Sequence, residues 1–297
     1  MNAVATRTRI QLKNILFATD FSDAAAAAIP YTTEIAKRYC ANLFALHVRP
    51  GVIGPMASPA GWSTLVAAAK TEDQKHREAL TAAFPGLHPQ ILIEEGDIWP
   101  SVAAAIEKNK VDLIIIGTRG RSGIGKFFLG SIAEDIFRKS PCPVLTVGPH
   151  APAEAAKAGR IREILYATDF SSESSRAPSY AISLAQEFQA HLTLLHVVAE
   201  RETGDLVAPE QLTAPSEQLL RKLVPPEMEA SCKPHYVVER GDAAEKILQV
   251  AKNRNADLIV IGAHPESGIP GAATHLPIAI AHKVVSQATC PVLTIHG

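Results

Sequence analysis

Asn14-Ile15-Leu16-Phe17-Ala18-Thr19-Asp20-Phe21-Ser22 is a short apolar run that ends in a polar turn. It occurs again, 149 positions later, as Glu163-Ile164-Leu165-Tyr166-Ala167-Thr168-Asp169-Phe170-Ser171. A run of that length with no polar alternation reads as a strand buried on both faces, the kind a parallel sheet requires. Three further matches follow in the same order. Leu46-His47-Val48 returns as Leu195-His196-Val197, Asp112-Leu113-Ile114-Ile115-Ile116-Gly117 as Asp257-Leu258-Ile259-Val260-Ile261-Gly262, and Cys142-Pro143-Val144-Leu145-Thr146 as Cys290-Pro291-Val292-Leu293-Thr294. So long a period means two copies of one domain, since solenoid units are much shorter. The length of 297 residues, about twice a typical domain of roughly 150, agrees. We expect domains over 9–149 and 160–297, joined by a small, polar, Pro-bearing link.

Working outward through the first copy, apolar runs at 15–19, 43–48, 90–94, 113–116 and 144–147 read as five strands. Helical patterns lie between them: from the cap Ser22 toward Arg38, over 63–83, from the cap Asp97 to Asn109, and over 131–139. Strands alternating with helices specify a doubly wound, Rossmann-like α/β domain with a five-stranded parallel sheet covered on both faces, built twice. Pro30 and Pro178 fall within the first helix of each copy, where a missing N–H predicts a kink. Such folds bind ligands beyond the carboxyl ends of the strands, where the strand order reverses. That places Asp20, Val48 and the stretch after Gly117 at the candidate site, with Asp169, Val197 and the stretch after Gly262 as their counterparts.

Composition narrows the function classes. Hydrophobic residues make up 47% of the chain and charged residues 20%, which excludes wholesale disorder. Lys plus Arg number 29 against 30 Asp plus Glu, so the basic excess of a nucleic-acid binder is missing. No apolar run approaches the ~20 residues of a membrane span, and Arg7 and Arg9 have no apolar stretch behind them to form a secretory signal. Cys40, Cys142, Cys232 and Cys290 form no Cys-x2-Cys pair and are too few for a disulfide framework. A cytoplasmic protein that meets neither nucleic acid nor membrane is expected.

The fourth strand of the first copy runs into Gly117-Thr118-Arg119-Gly120-Arg121-Ser122-Gly123-Ile124-Gly125-Lys126-Phe127-Phe128-Leu129-Gly130-Ser131. Gly117 and Gly120 permit close backbone approach to a ligand. Ser131 opens a helix whose free N–H groups and positive dipole end favour a phosphate. Arg119, Arg121 and Lys126 add three cations with no carboxylate among them, so an anion suits this loop. Ser131-Ile132-Ala133-Glu134 also fits a capping box that serves the helix alone, and Asp20 fits a turn residue ahead of a helix. His47 and His196, at a repeated strand position, read as structural rather than catalytic.

Gly117-x2-Gly120-x9-Gly130-Ser131 resembles the nucleotide-binding signature of the ATP-binding branch of the universal stress protein family. The Ala-Thr-Asp-Phe-Ser turn, the Leu-His-Val strand end and the closing Cys-Pro-Val-Leu resemble that family too, over nearly the whole chain. The resemblance implies an adenine nucleotide as ligand, with Mg2+ held through its phosphates. Asp20 would accept hydrogen bonds from the adenosine moiety. Val48 would offer its backbone to the adenine edge, and Ala18 and Thr19 would line that pocket. Gly117, Arg119 and Gly120 would follow the ribose and phosphates, and Gly130, Ser131 and Ile132 would receive the phosphate tail.

The second copy keeps Asp169, Val197 and Gly262 but places Pro265 where the second glycine belongs, and no Gly-Ser pair follows. No Lys or Arg lies between Gly262 and His282, and His264, His275 and His282 lack the carboxylate or cysteine of a metal site. We expect a degenerate, structural or regulatory domain. Neither a Gly-x4-Gly-Lys-Ser/Thr loop, nor a Gly-x-Ser-x-Gly elbow, nor a His-Glu-x2-His pair occurs, and no general base can be named. The expected function is therefore an ATP-binding stress-response sensor or switch acting through protein partners. A nucleotide-independent scaffold and a slow ATPase are the alternatives. The resemblance also implies dimerisation through last strands. An intramolecular pseudo-dimer through 144–147 and 292–295 is expected, and the sequence does not require a further homodimer.

Overall fold

The computed structural model describes residues 10–49, 51, 59–118, 130–148, 151, 161–170, 176–199, 209–226, 228–229, 234–263 and 278–296. The first half runs β1 (Asn14–Ala18), α1 (Asp23–Tyr39), β2 (Asn42–Arg49), α2 (Pro59–Ala83), β3 (Gln90–Glu95), α3 (Ile98–Asn109), β4 (Leu113–Gly117), α4 (Ser131–Lys139) and β5 (Val144–Val147). The second half runs β6 (Glu163–Thr168), α5 (Ala177–Phe188), β7 (His191–Val198), α6 (Pro209–Leu223), β8 (His235–Arg240), α7 (Ala243–Asn253), β9 (Leu258–Ala263), α8 (Ile278–Gln287) and β10 (Val292–His296).

The ten described strands form one sheet in the order β3-β2-β1-β4-β5-β10-β9-β6-β7-β8. Each half is parallel within itself, with Ala18 of β1 flanked by Leu46 of β2 and Ile116 of β4. Alternation along the strands feeds two apolar layers. Ile15 and Phe17 join Tyr31, Ile35, Leu80, Tyr180, Leu184 and Leu220 under α1, α2, α5 and α6. Leu16 and Leu165 join Val102, Phe137, Ile247 and Val284 under α3, α4, α7 and α8. Each layer is continuous across both halves, as expected of a sheet buried on both faces.

The repeated Asp-Leu-Ile motif has a structural role. Asp112 Oδ2 accepts from the Lys13 and Asn14 amides at 2.8 and 2.9 Å, pinning the start of β1 to that of β4. Asp257 Oδ2 does the same for Arg162 and Glu163 at 2.8 and 3.0 Å. Of the two prolines, Pro30 lies inside α1 and removes one donor there. Pro178 instead lies in the first turn of α5, where the N–H has no intrahelical partner in any case. The kink expected at Pro178 therefore has no cause.

β5 and β10 pair antiparallel, with Leu145 opposite Leu293, Thr146 opposite Val292 and Val144 opposite Thr294. The Thr146 hydroxyl donates to the Val292 carbonyl at 3.1 Å. Side chains reinforce the junction. The Ile10 amide donates to Ser183 Oγ at 3.1 Å, and Arg38 donates to the Glu187 carbonyl at 3.1 Å while lying over the Phe188 ring. Neither closing strand is left as an open edge.

Candidate functional site

The strand order reverses between β1 and β4, so the candidate site lies beyond their carboxyl ends. β1 ends at Ala18 and hands over to a tight turn held by its own side chains and by β2. The Thr19 amide donates to the Leu46 carbonyl at 2.9 Å, the Phe21 amide to Thr19 Oγ1 at 2.9 Å, and the Ser22 amide to Asp20 Oδ1 at 3.0 Å. Ser22 then caps α1 by accepting from the Ala25 amide at 3.2 Å, as its sequence position predicts. Phe21 holds φ at 59°, a left-handed conformation that is unusual for a bulky residue. Asp20 is thus a turn residue with one carboxylate oxygen engaged; Oδ2 has no partner among the described residues. Val48, in β2, extends two residues past Leu46, the last rung shared with β1.

Gly117 ends β4 beneath α1. A Cβ there would lie 2.5 Å from the Ala24 carbonyl carbon and oxygen and 2.6 Å from the Ala25 nitrogen. The close approach expected at Gly117 is therefore made by the first turn of α1. Thr118 donates its amide to the Val147 carbonyl at 3.0 Å, and its own carbonyl accepts from the Gly130 amide at 2.8 Å. That bond brings the loop's end back to β4. Gly130 is the N-cap of α4, with φ −61° and ψ 146°, which any residue can adopt. The capping box that Ser131 and Glu134 also fit does not form. Ser131 is the first helical residue, the cap supplies no side-chain bond, and Glu134 pairs with Arg138. The first-turn amides of α4 thus carry no side-chain cap, and Ile132 is exposed beside them.

The structure brings Ala18, Thr19, Asp20, Gly117, Gly130, Ser131 and Ile132 to one end of the sheet, with Val48 one strand away. Arg119 and Gly120 lie outside the described residues, as do Arg121, Lys126, Cys232, His264, Pro265 and His275. Two contacts were not legible in the sequence. His47 Nδ1 lies 2.8 Å from the Thr19 carbonyl, and the Phe21 ring stacks on His76 of α2 at 4.6 Å between centroids. The only signal for the first was the repetition of Leu-His-Val. Burial pushes the Cys290 thiol up to about 12 and also raises Cys142, which fits packing rather than reactivity. Among the described residues no group of three or more His, Cys, Asp or Glu is placed to hold a metal. No described helix is long and apolar enough to cross a membrane.

The profile of the Universal stress protein family matches residues 11–148 and again 160–296. A universal stress protein of Mycolicibacterium smegmatis is 26% identical over 303 residues, covering 95% of this chain and 96% of the relative. One from Synechocystis is 26% identical over 309 residues, covering 96% and 100%. Among solved structures, a universal stress protein from Archaeoglobus fulgidus superposes with a TM-score of 0.68 at 20% identity, covering 97% of this chain and 99% of the other. With both halves matched by one profile and two full-length relatives of the same kind, the chain belongs to the universal stress protein family, as a tandem of two of its domains.

Proposed function

We propose that the first repeat binds an adenine nucleotide, ATP with Mg2+ held through its phosphates, and that the chain works as a nucleotide-dependent sensor or switch. The observation that carries this reading is the start of α4. Among the described residues its first-turn amides have no side-chain cap, and the residue before them is a glycine whose dihedrals do not demand one. A missing side chain beside amides that no described side chain caps leaves room for a phosphate group, which the helix dipole also favours. Gly130, Ser131 and Ile132 take the phosphate tail; Gly117, Arg119 and Gly120 follow the ribose and phosphates. Asp20 Oδ2 accepts from the ribose, Val48 offers backbone groups to the adenine edge, and Ala18 and Thr19 line that pocket. The second repeat, with Pro265 in the loop and no Gly-Ser pair, takes no ATP.

Calorimetry on the full chain tests this. One ATP per chain is expected, with binding abolished by Gly130→Val and the melting temperature little changed. Two equivalent sites, or unchanged affinity in Gly130→Val, would remove the proposal. Turnover should be absent or far below the ~10 s⁻¹ median of dedicated enzymes, because phosphate positioning without a general base lowers only part of the barrier.

A further inference from the structure

We propose that His47 is the positioning residue of the first repeat's site, setting the peptide that carries Asp20. This rests on the nucleotide-binding reading above. The Thr19 carbonyl lies one residue past the last paired residue of β1, Ala18, where no described backbone amide donates to it. A carbonyl only accepts, so the 2.8 Å contact requires the hydrogen on Nδ1, which donates. The accepting carbonyl belongs to the Thr19–Asp20 peptide unit, so this bond sets the plane from which the Asp20 side chain departs. Thr19 is then held at its amide, its hydroxyl and its carbonyl.

The imidazole is itself held in place. It is 8% exposed, and its ring meets Phe21 at 4.8 Å and His76 at 4.7 Å between centroids. Phe21, with its left-handed backbone, is stacked on His76, so the turn is clasped between β2 and α2. The duplication provides a matched control. His196 Nδ1 lies 2.9 Å from the Thr168 carbonyl, Phe170 holds φ at 60°, and its ring meets His196 at 4.4 Å. The same bond thus exists once beside the proposed nucleotide site and once in the repeat whose loop is degenerate.

The test uses the full chain and an isosteric pair. Asn places an amide N–H near the Nδ1 position, whereas Leu has the same shape and no donor. His47→Leu is expected to raise the Kd for ATP and adenosine by the same factor, about tenfold, the change that one net hydrogen bond corresponds to. His47→Asn should restore most of that affinity. His196→Leu should lower the melting temperature as much as His47→Leu and leave the Kd unchanged. Hydrogen exchange at the Phe21 and Ser22 amides, measured without nucleotide, should quicken in His47→Leu and recover in His47→Asn. If Asn is no better than Leu in both readouts, or if His196→Leu weakens ATP equally, the positioning role is wrong. If wild-type chain takes no adenine nucleotide, the functional reading fails, and the exchange pattern alone decides whether His47 sets the turn.

Discussion

A methyl group on Gly117 would collide with the Ala24 carbonyl, whereas Gly130 has dihedrals open to any residue. In the sequence both are glycines flanking one loop, and the spacing alone assigns them the same task. The difference is tertiary, set by how closely α1 crosses β4, and no local pattern encodes it. Gly117→Ala should cost about 1–3 kcal/mol, the usual penalty for overpacking, and Gly130→Ala about 1 kcal/mol or less, an N-cap effect. Urea denaturation midpoints measure both. Equal midpoints would mean that α1 shifts freely away from β4. Titratable residues give a second expectation. Burial raises the Cys290 thiol from 9.0 to about 12 and also raises the Tyr31, Tyr166 and Tyr180 hydroxyls. The folded chain keeps protons that the unfolded chain releases, so this stabilisation is complete below pH 9 and is lost as the pH rises toward 12. Urea midpoints should fall steadily between pH 9 and 11. In the native protein at pH 8, iodoacetamide should modify exposed Cys40 and spare Cys290 until the chain is unfolded.

Element by element, the helix starts show where local sequence decides and where it does not. Ser22 caps α1 as its position predicts, because its hydroxyl, with extended backbone just ahead of the helix, reaches the Ala25 amide of the first turn. At α4 the Ser-x-x-Glu pattern is present, but the Gly130 amide is already bound to Thr118, which moves the helix start back by one residue. Asp97 and Asp242 occupy the same cap position in α3 and α7. Only Asp242 makes the bond, accepting from the Glu245 amide at 2.9 Å, and it also meets Lys283 of α8 at 3.1 Å. Asp242→Ala should therefore cost about 1 kcal/mol and Asp97→Ala a few tenths. The Glu245 amide, and after it Lys283, hold the Asp242 carboxyl below its ordinary 3.8. Its contribution is present above that pH and lost as the pH falls through the lowered value, so the gap between the two variants should close in acid. Thermal melts at pH 7 and pH 2.5 follow it.

For the molecule as a whole, the duplicated motifs made the fold legible, because a buried parallel strand needs a continuous apolar run and each run occurs twice. The site was legible in part. Its backbone turns follow from Gly, Asp and Ser positions, but the ring contacts to His47 and His76 join residues 26 to 55 positions apart along the chain. The seam matters most for integrity, since Val144, Leu145 and Thr146 are paired on their outer side by β10. In the full chain the partner strand is covalently tethered, which sets its effective concentration in the ~mM range. A 1–150 fragment should therefore self-associate or aggregate, as read by light scattering; a soluble monomer with full ATP affinity would deny the second repeat this role. The antiparallel seam has one more consequence. The strands of one half run opposite to those of the other, so their carboxyl ends face opposite poles of the molecule, separated by about a strand length of ~20 Å. No single small molecule reaches both. A molecule seated at the first pole therefore leaves the second uncovered.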